Sequence, residues 1–328
     1  IRDTGLPAAT VQMIYKIDHQ SGQRLVSDRR VGASAFTGSR AAGMALKNAA
    51  DAVGKPIYLE MSSINPVVIL PGALAERGSK VAADFASSCL MGGGQFCTNA
   101  GFVLLFADAR TDQFIDEVKG AFDAAQPPAL LSEGVAKGLA YSVKTLQSAG
   151  AALLTAPSTS AKGARHPNTL LRVTGTQFLA EPGKLQTEAF GSASLCVVVR
   201  NVDEAEAVLS HLEGNLTGCI YSDTQGSDEG LYARLAPALR RRVGRLLNDK
   251  MPTGVAVSPA MNHGGPFPAT GHPGFTAVGI PASLRRFGML CCYDNVRQHR
   301  LPAALRDENP NGRMWRLVDG KMTQDSCS

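Results

Sequence analysis

What constrains this chain most is a set of short, unbroken apolar runs, each followed by a helical pattern. Val67-Val68-Ile69-Leu70, Phe102-Val103-Leu104-Leu105-Phe106 and Leu195 to Val199 contain no charge and read as buried strands. Leu216 to Tyr221 reads as another. Behind them come four helical patterns: Leu74 to Met91, Gln113 to Ala124, Val202 to Leu212 and Asp228 to Arg242. In the first of these Val81, Ala82, Phe85, Ala86 and Cys89 fall near helical spacing. Strand–helix alternation of this kind specifies an α/β fold. The 34 glycines suit its many tight turns.

Further strands are expected over Thr10 to Tyr15, Pro56 to Leu59, Ala151 to Leu154, Thr169 to Val173, Gly244 to Leu247, Thr253 to Val257 and Gly312 to Asp319. A helix is expected from Ala41 to about Val53. Leu25 to Val31 reads as a polar connector and Ser158 to His166 as a polar, irregular stretch. With 328 residues, 44% apolar and 19% charged, the chain is an ordinary globular sequence of about two domains.

The net charge of +5 is spread along the sequence. The densest basic run, Arg240-Arg241-Arg242 with Arg245, falls at a helix end, where cations suit the dipole. No aromatic residue interleaves with it, so a nucleic-acid site is not expected. Seven cysteines show no CxxC pair, which argues against disulfides and against a metal site; no metal is expected, and a reducing, cytoplasmic setting is. Cys291 and Cys292 read as packing residues. No apolar run approaches ~18 residues, so no membrane span is expected.

Three places carry chemistry. Gly92-Gly93-Gly94-Gln95-Phe96-Cys97 puts a thiol behind three glycines, where backbone can approach closely; Cys97 is either a nucleophile or a buried cysteine after a loop. Phe36-Thr37-Gly38-Ser39 runs into a helix through Gly43. That is the grammar of a phosphate site at a helix N-terminus, though Ser39 could equally be an N-cap. Glu60 ends a strand, a position for a general base or for a surface carboxylate paired with Lys55. His263, in the rigid loop Asn262-His263-Gly264-Gly265-Pro266-Phe267-Pro268, could activate Cys97 but is read as a structural residue.

Taken in order, Phe36-Thr37-Gly38-Ser39 with Gly43, Glu60, Gly94-Gln95-Phe96-Cys97, Glu188-Ala189-Phe190-Gly191 and Pro252-Thr253-Gly254-Val255 resemble the aldehyde dehydrogenase superfamily. Met61-Ser62-Ser63-Ile64-Asn65-Pro66, His263 to Thr270, and Tyr293 through Gly320 look like its α-ketoglutaric semialdehyde (2,5-dioxovalerate) dehydrogenase subgroup. The resemblance implies a Rossmann-like cofactor-domain remnant (residues 1–60), an α/β catalytic domain (61–268) and a C-terminal return and oligomerisation segment (269–328). It implies oxidation of an aldehyde substrate with NAD or NADP, in a homo-oligomer (dimer or tetramer). Cys97 would be the nucleophile and Glu60 the base for water. Gly38, Ser39 and Gly43 would seat the pyrophosphate, Glu188 the ribose and Phe190 the nicotinamide, with Phe96 and Phe267 walling the substrate pocket.

Thr187 and Ser192 depart from the family pattern of a second glutamate and a proline. A full-length member also carries a long segment ahead of this chain's first residue, including an asparagine that donates to the oxyanion. The expectation is therefore that this chain alone binds NAD(P)+ poorly and turns over slowly, the alternatives being a scaffold or oligomer partner and a cofactor-free acyl-transferase or esterase.

Overall fold

A computed structural model describes residues 2–156, 163–254, 258, 261–275 and 281–327. By internal packing the chain divides into two units, Ile1–Arg286 and Phe287–Ser328.

In chain order the first unit contains α1 (His19–Ser27), β1 (Ser34–Thr37), α2 (Arg40–Asp51), β2 (Ile57–Glu60), β3 (Val67–Ile69), α3 (Pro71–Leu90), β4 (Phe102–Phe106), α4 (Ala109–Ala124) and α5 (Glu133–Ser148). There follow β5 (Ala152–Leu153), β6 (Thr169–Thr174), α6 (Gly175–Ala180), α7 (Pro182–Leu185), β7 (Ala193–Val199), α8 (Val202–His211), β8 (Asn215–Tyr221), α9 (Glu229–Arg240) and β9 (Val243–Asn248). Strands β5-β6-β7-β4-β3-β8-β9 form one sheet in that order. All its neighbours are parallel except β5 and β6.

Strands β3, β4, β7 and β8 are buried along their whole length, which is why they read as continuous apolar runs: a parallel sheet is covered on both faces. Alternate residues divide between those faces. Val68, Leu70, Leu104, Val197 and Val199 join a core with Phe178 of α6, Val208 and Leu209 of α8, and Leu235 and Leu239 of α9. Val67, Ile69, Val103, Leu105 and Val198 pack with Leu74, Val81 and Phe85 of α3 and Phe114, Val118 and Phe122 of α4. Each such side chain contributes roughly 1.5–3 kcal/mol over an exposed one.

A second, two-stranded parallel sheet pairs β1 with β2, Thr37 opposite Glu60, with α2 as the crossover. Its core is Val26, Ala50, Ile57, Leu59 and Met61, with Phe36, Met44 and Leu46 against it.

Several expectations change. Thr10 to Tyr15 is not a strand: Ala8–Thr10 is a 3-10 turn, and Val11, Met13, Ile14 and Tyr15 are exposed. β-branched and aromatic content favours a strand only where a partner strand exists. Leu25 begins no connector but lies in α1, whose N-cap Asp18 accepts from Ser21 N–H at 2.7 Å. Helix α5, capped by Ser132, went unforeseen because it buries only the stripe Leu139, Val143 and Leu146. Cys291 and Cys292 are exposed rather than packed, and all seven cysteines are free. The basic run behaves as helix-end chemistry: Arg240 donates to Val243 O at 2.6 Å and Arg242 to Ser210 O. Most of the strand expected over Thr253 to Val257, and of the stretch Ser158 to His166, lies outside the described residues. No described helix is long and apolar enough to cross a membrane.

The second unit is built on the antiparallel hairpin β10 (Arg316–Val318) and β11 (Lys321–Thr323), a shorter strand than Gly312 to Asp319. The Asn309 amide ties its two sides by donating to Met314 O at 2.9 Å and Gln324 O at 2.7 Å. Trp315, Leu317 and Met322 stay exposed.

Candidate active site

The loop bearing Cys97 leaves α3 through Gly92, Gly93 and Gly94, all at positive φ (58°, 69° and 68°). At Gly94 the absence of a side chain is also steric: a Cβ there would sit 2.1 Å from the Gly191 carbonyl. Glycine thus lets the Cys97 loop lie backbone-to-backbone on the loop Glu188 to Ser192. Asn99 Nδ2 fastens the two by donating to Gly191 O at 3.1 Å.

Beneath the loop lies Asn65, fully buried and at φ 46°. Its Nδ2 donates to Cys97 O at 3.0 Å and to Asn99 O at 2.9 Å. Its Oδ1 accepts from Ser63 Oγ at 2.9 Å and Thr217 Oγ1 at 2.8 Å. Asn215 Oδ1 receives Ile64 N–H at 2.8 Å. The segments preceding β3, β4 and β7 and the first residues of β8 are therefore laced together at the N-terminal ends of the large sheet. Ligands of open α/β sheets usually gather at the opposite, C-terminal ends; Glu60, ending β2, and Gly38 and Ser39, following β1, follow that rule in the two-stranded sheet.

Glu60 does not pair with Lys55, whose Nζ donates to the carbonyls of Asp28 and, at 2.6 Å, Val31. Its partner is His263, which sequence reasoning set aside. Met61 N–H donates to Ala269 O at 2.8 Å and Gly271 N–H to Leu59 O at 3.0 Å, so the end of the Gly-Pro loop runs alongside β2. The loop is pressed close: a Cβ on Gly265 would lie 2.1 Å from Asn215 O. The buried His263 then places Nε2 3.4 Å from Cys97 Sγ and 3.3 Å from Glu60 Oε1. Its pKa rises to about 9, first through the hydrogen bond to Cys97 and then that to Glu60, against the opposing effect of burial. The signal in the sequence was the glycine pair after His263, which permits the close crossing.

The residues foreseen for a cofactor fall into two groups. Ser39 is the N-cap of α2, its Oγ accepting from Ala42 N–H at 3.3 Å, so the N-cap reading holds whatever else it binds. Gly38 N–H donates to Glu60 O at 3.1 Å, linking this turn directly to the carboxylate residue. A Cβ on Gly43 would meet Met61 Sδ at 2.9 Å. Glu188 and Phe190 share a recess with Phe96, Ser63, Ile64 and Gly94. Burial there pushes the Glu188 carboxyl up to about 7, opposed by a hydrogen bond from Ser63 N–H. Phe267 does not line this recess. It is half exposed, with the Arg40 guanidinium 5.4 Å over its ring, and Arg40 is held by Glu213 at 2.9 Å.

The family model described as the aldehyde dehydrogenase family matches residues 1–236. Alpha-ketoglutaric semialdehyde dehydrogenase 2 of Azospirillum brasilense is 42% identical over 331 residues, covering 98% of this chain and 61% of that protein. Alpha-ketoglutaric semialdehyde dehydrogenase of Acinetobacter baylyi is 38% identical over 333 residues, covering 99% and 61%. Among solved structures, betaine aldehyde dehydrogenase of Staphylococcus aureus in complex with NAD+ superimposes with a TM-score of 0.68 at 16% identity, over 82% of this chain and 53% of that one; this last likeness speaks for the fold alone. The chain spans about three fifths of the length of these two curated relatives. On the family match and the shared α/β architecture, the chain belongs to the aldehyde dehydrogenase family.

Proposed function

We propose that this chain carries the catalytic centre of an α-ketoglutaric semialdehyde dehydrogenase, oxidising 2,5-dioxopentanoate to 2-oxoglutarate with NAD+ or NADP+. The observation that carries the reading is the contact of Cys97 Sγ and Glu60 Oε1 with the one nitrogen of His263. The substrate rests on the two semialdehyde dehydrogenase relatives.

A dinucleotide fits the residues present. Helix α2 is twelve residues long and its first turn leaves backbone donors for an anion. The Glu188 carboxyl, raised to about 7, gains from hydroxyl donors in its recess. Gly38, Ser39 and Gly43 would hold the pyrophosphate, Glu188 the ribose and Phe190 the nicotinamide side. When bound, the dinucleotide supplies the acceptor for the hydride lost from the Cys97-bound carbon.

The protein's own steps follow from the contacts. The thiol proton of Cys97 passes to solvent, and Sγ, facing the His263 imidazolium whose pKa is raised to about 9, bonds to the aldehyde carbon. The Cys97 backbone N–H faces the oxygen that gains charge, a donor worth about 3 kcal/mol in comparable sites. After oxidation a thioester remains on Cys97. Glu60 takes a proton from water, which attacks the thioester and frees the acid. Phe96 borders the recess on the substrate side, while Phe267, half exposed under Arg40, stands outside it.

The division into 1–60, 61–268 and 269–328, homo-oligomerisation through the C-terminal segment and a cytoplasmic setting belong to the same proposal. The test is mass spectrometry of the purified chain after incubation with 2,5-dioxopentanoate and NAD+ or NADP+. An acyl adduct on Cys97 that accumulates in Glu60→Gln and is absent from Cys97→Ser is the expected result. Oxidation that persists in Cys97→Ser overturns the assignment.

A further inference from the structure

Sγ of Cys97, Nε2 of His263 and a carboxylate oxygen of Glu60 all lie within 4.8 Å of one another. They come from three separate segments: the turn before β4, the Gly-Pro loop and the end of β2. A thiolate, an imidazole and a carboxylate form a mixed donor set suited to zinc, and three protein ligands with one open position is the arrangement of a reactive rather than a structural zinc site. Zinc distances of about 2.3 Å to sulfur and about 2.0–2.1 Å to nitrogen and oxygen put tetrahedral donors about 3.3–3.6 Å apart. The two separations that share Nε2 are 3.4 Å and 3.3 Å. The remaining edge, at most 4.8 Å, closes by side-chain rotation, since Cys97 and Glu60 are only partly buried. Ser63, Asn65 and Asn215 hold the surrounding backbone.

We propose that Cys97, His263 and Glu60 form a three-ligand site for Zn2+, which on binding switches the centre off. The metal takes the Cys97 thiolate, neutral His263 Nε2 and the Glu60 carboxylate. The protons of the thiol and of Nε2 pass to solvent. Nucleophile, its histidine partner and the water base are then sequestered together by one ion, and a chelator restores them. The loss of activity rests on the proposed function above; the binding does not.

The experiment therefore reads binding directly, with Co2+ as the spectroscopic stand-in for Zn2+. The exposed pair Cys291 and Cys292 is changed to serine in the background to remove competing thiolates. Titration of this protein is expected to give a thiolate-to-cobalt absorption band saturating at one ion per chain and reversed by EDTA. The band disappears in Cys97→Ser, and Co2+ affinity falls at least ~10-fold in His263→Gln and in Glu60→Gln, the loss expected for a missing ligand interaction. In parallel, Zn2+ slows iodoacetamide alkylation of Cys97 at least ~10-fold only where His263 is intact. Circular dichroism and melting of each variant separate loss of a ligand from loss of the fold. A band that survives in Cys97→Ser, unchanged affinity in a folded His263→Gln protein, or no band in the background protein overturns the site. If the band forms and the protein makes no Cys97 acyl adduct, the zinc site stands and the aldehyde-oxidising reading falls.

Discussion

Replacing Asn65 by alanine tests whether the nucleophile loop is held from below. The substitution removes the donor to Cys97 O and the acceptor for Thr217 N–H and Oγ1, at 3.2 Å and 2.8 Å. Asn99 O keeps the Gly101 N–H at 2.9 Å, and Ser63 Oγ keeps Leu216 N–H at 3.0 Å, so those groups remain satisfied. Two buried sites are left unpaired, at ~1–3 kcal/mol each. Alanine at φ 46° adds ~1–2 kcal/mol of left-handed strain. The expected loss is about 3–8 kcal/mol, at or beyond the upper end for a single substitution. Asn65→Gly removes the same hydrogen bonds without that strain and should be about 1 kcal/mol less damaging. Urea unfolding with unchanged m-value measures both, and the iodoacetamide rate at Cys97 reports the loop. An Asn65→Ala protein within ~1 kcal/mol of the parent, with unchanged Cys97 alkylation, would refute the reasoning.

Three further outcomes can be checked. The pKa of His263 is raised to about 9, so the native state binds the extra proton. Its contribution is complete below about 6.5, the ordinary histidine value, and lost as pH rises through about 9; the melting-temperature gap between parent and His263→Gln should therefore shrink from about pH 6 to about pH 10. Glu188 is also raised, to about 7, but by burial of its charge, so stability falls as pH rises from about 4.5 to 7. Glu188→Gln should stabilise the unliganded chain by up to about 3 kcal/mol at pH 8 and not at pH 4, seen by unfolding at both. Asp228 caps α3 from a distant segment, accepting from Gly72 N–H at 2.9 Å and Ala73 N–H at 3.0 Å, and also from Asp223 N–H at 2.9 Å; Asp228→Ala should cost about 2–4 kcal/mol, and a loss under ~1 kcal/mol in urea would sink that role.

The sequence by itself determined the large sheet. Strands β3, β4, β7 and β8 lie under helices on both faces, so apart from Ser194, Asn215 and Thr217 near the starts of β7 and β8 their positions carry no polar side chain but the Tyr221 hydroxyl, and the pattern survives without knowledge of neighbours. Helices with a broad buried face, such as α3 and α4, were legible for the same reason. The polar α1 was not, because it depends on the Asp18 cap and on packing against α2. The stretch Thr10 to Tyr15 misled because composition cannot supply a pairing partner. At the site, the ordered residues around Cys97, Glu60 and Glu188 were visible in one dimension. Only the tertiary structure decided that His263, distant in sequence from both, stands between Cys97 and Glu60. It also decided that Asn65 carries the Cys97 loop and that Phe267 faces Arg40 instead of the recess. Hydrogen bonds between segments far apart in sequence leave no periodicity to read. They exist only once the close backbone crossings at Gly94 and Gly265 bring those segments together.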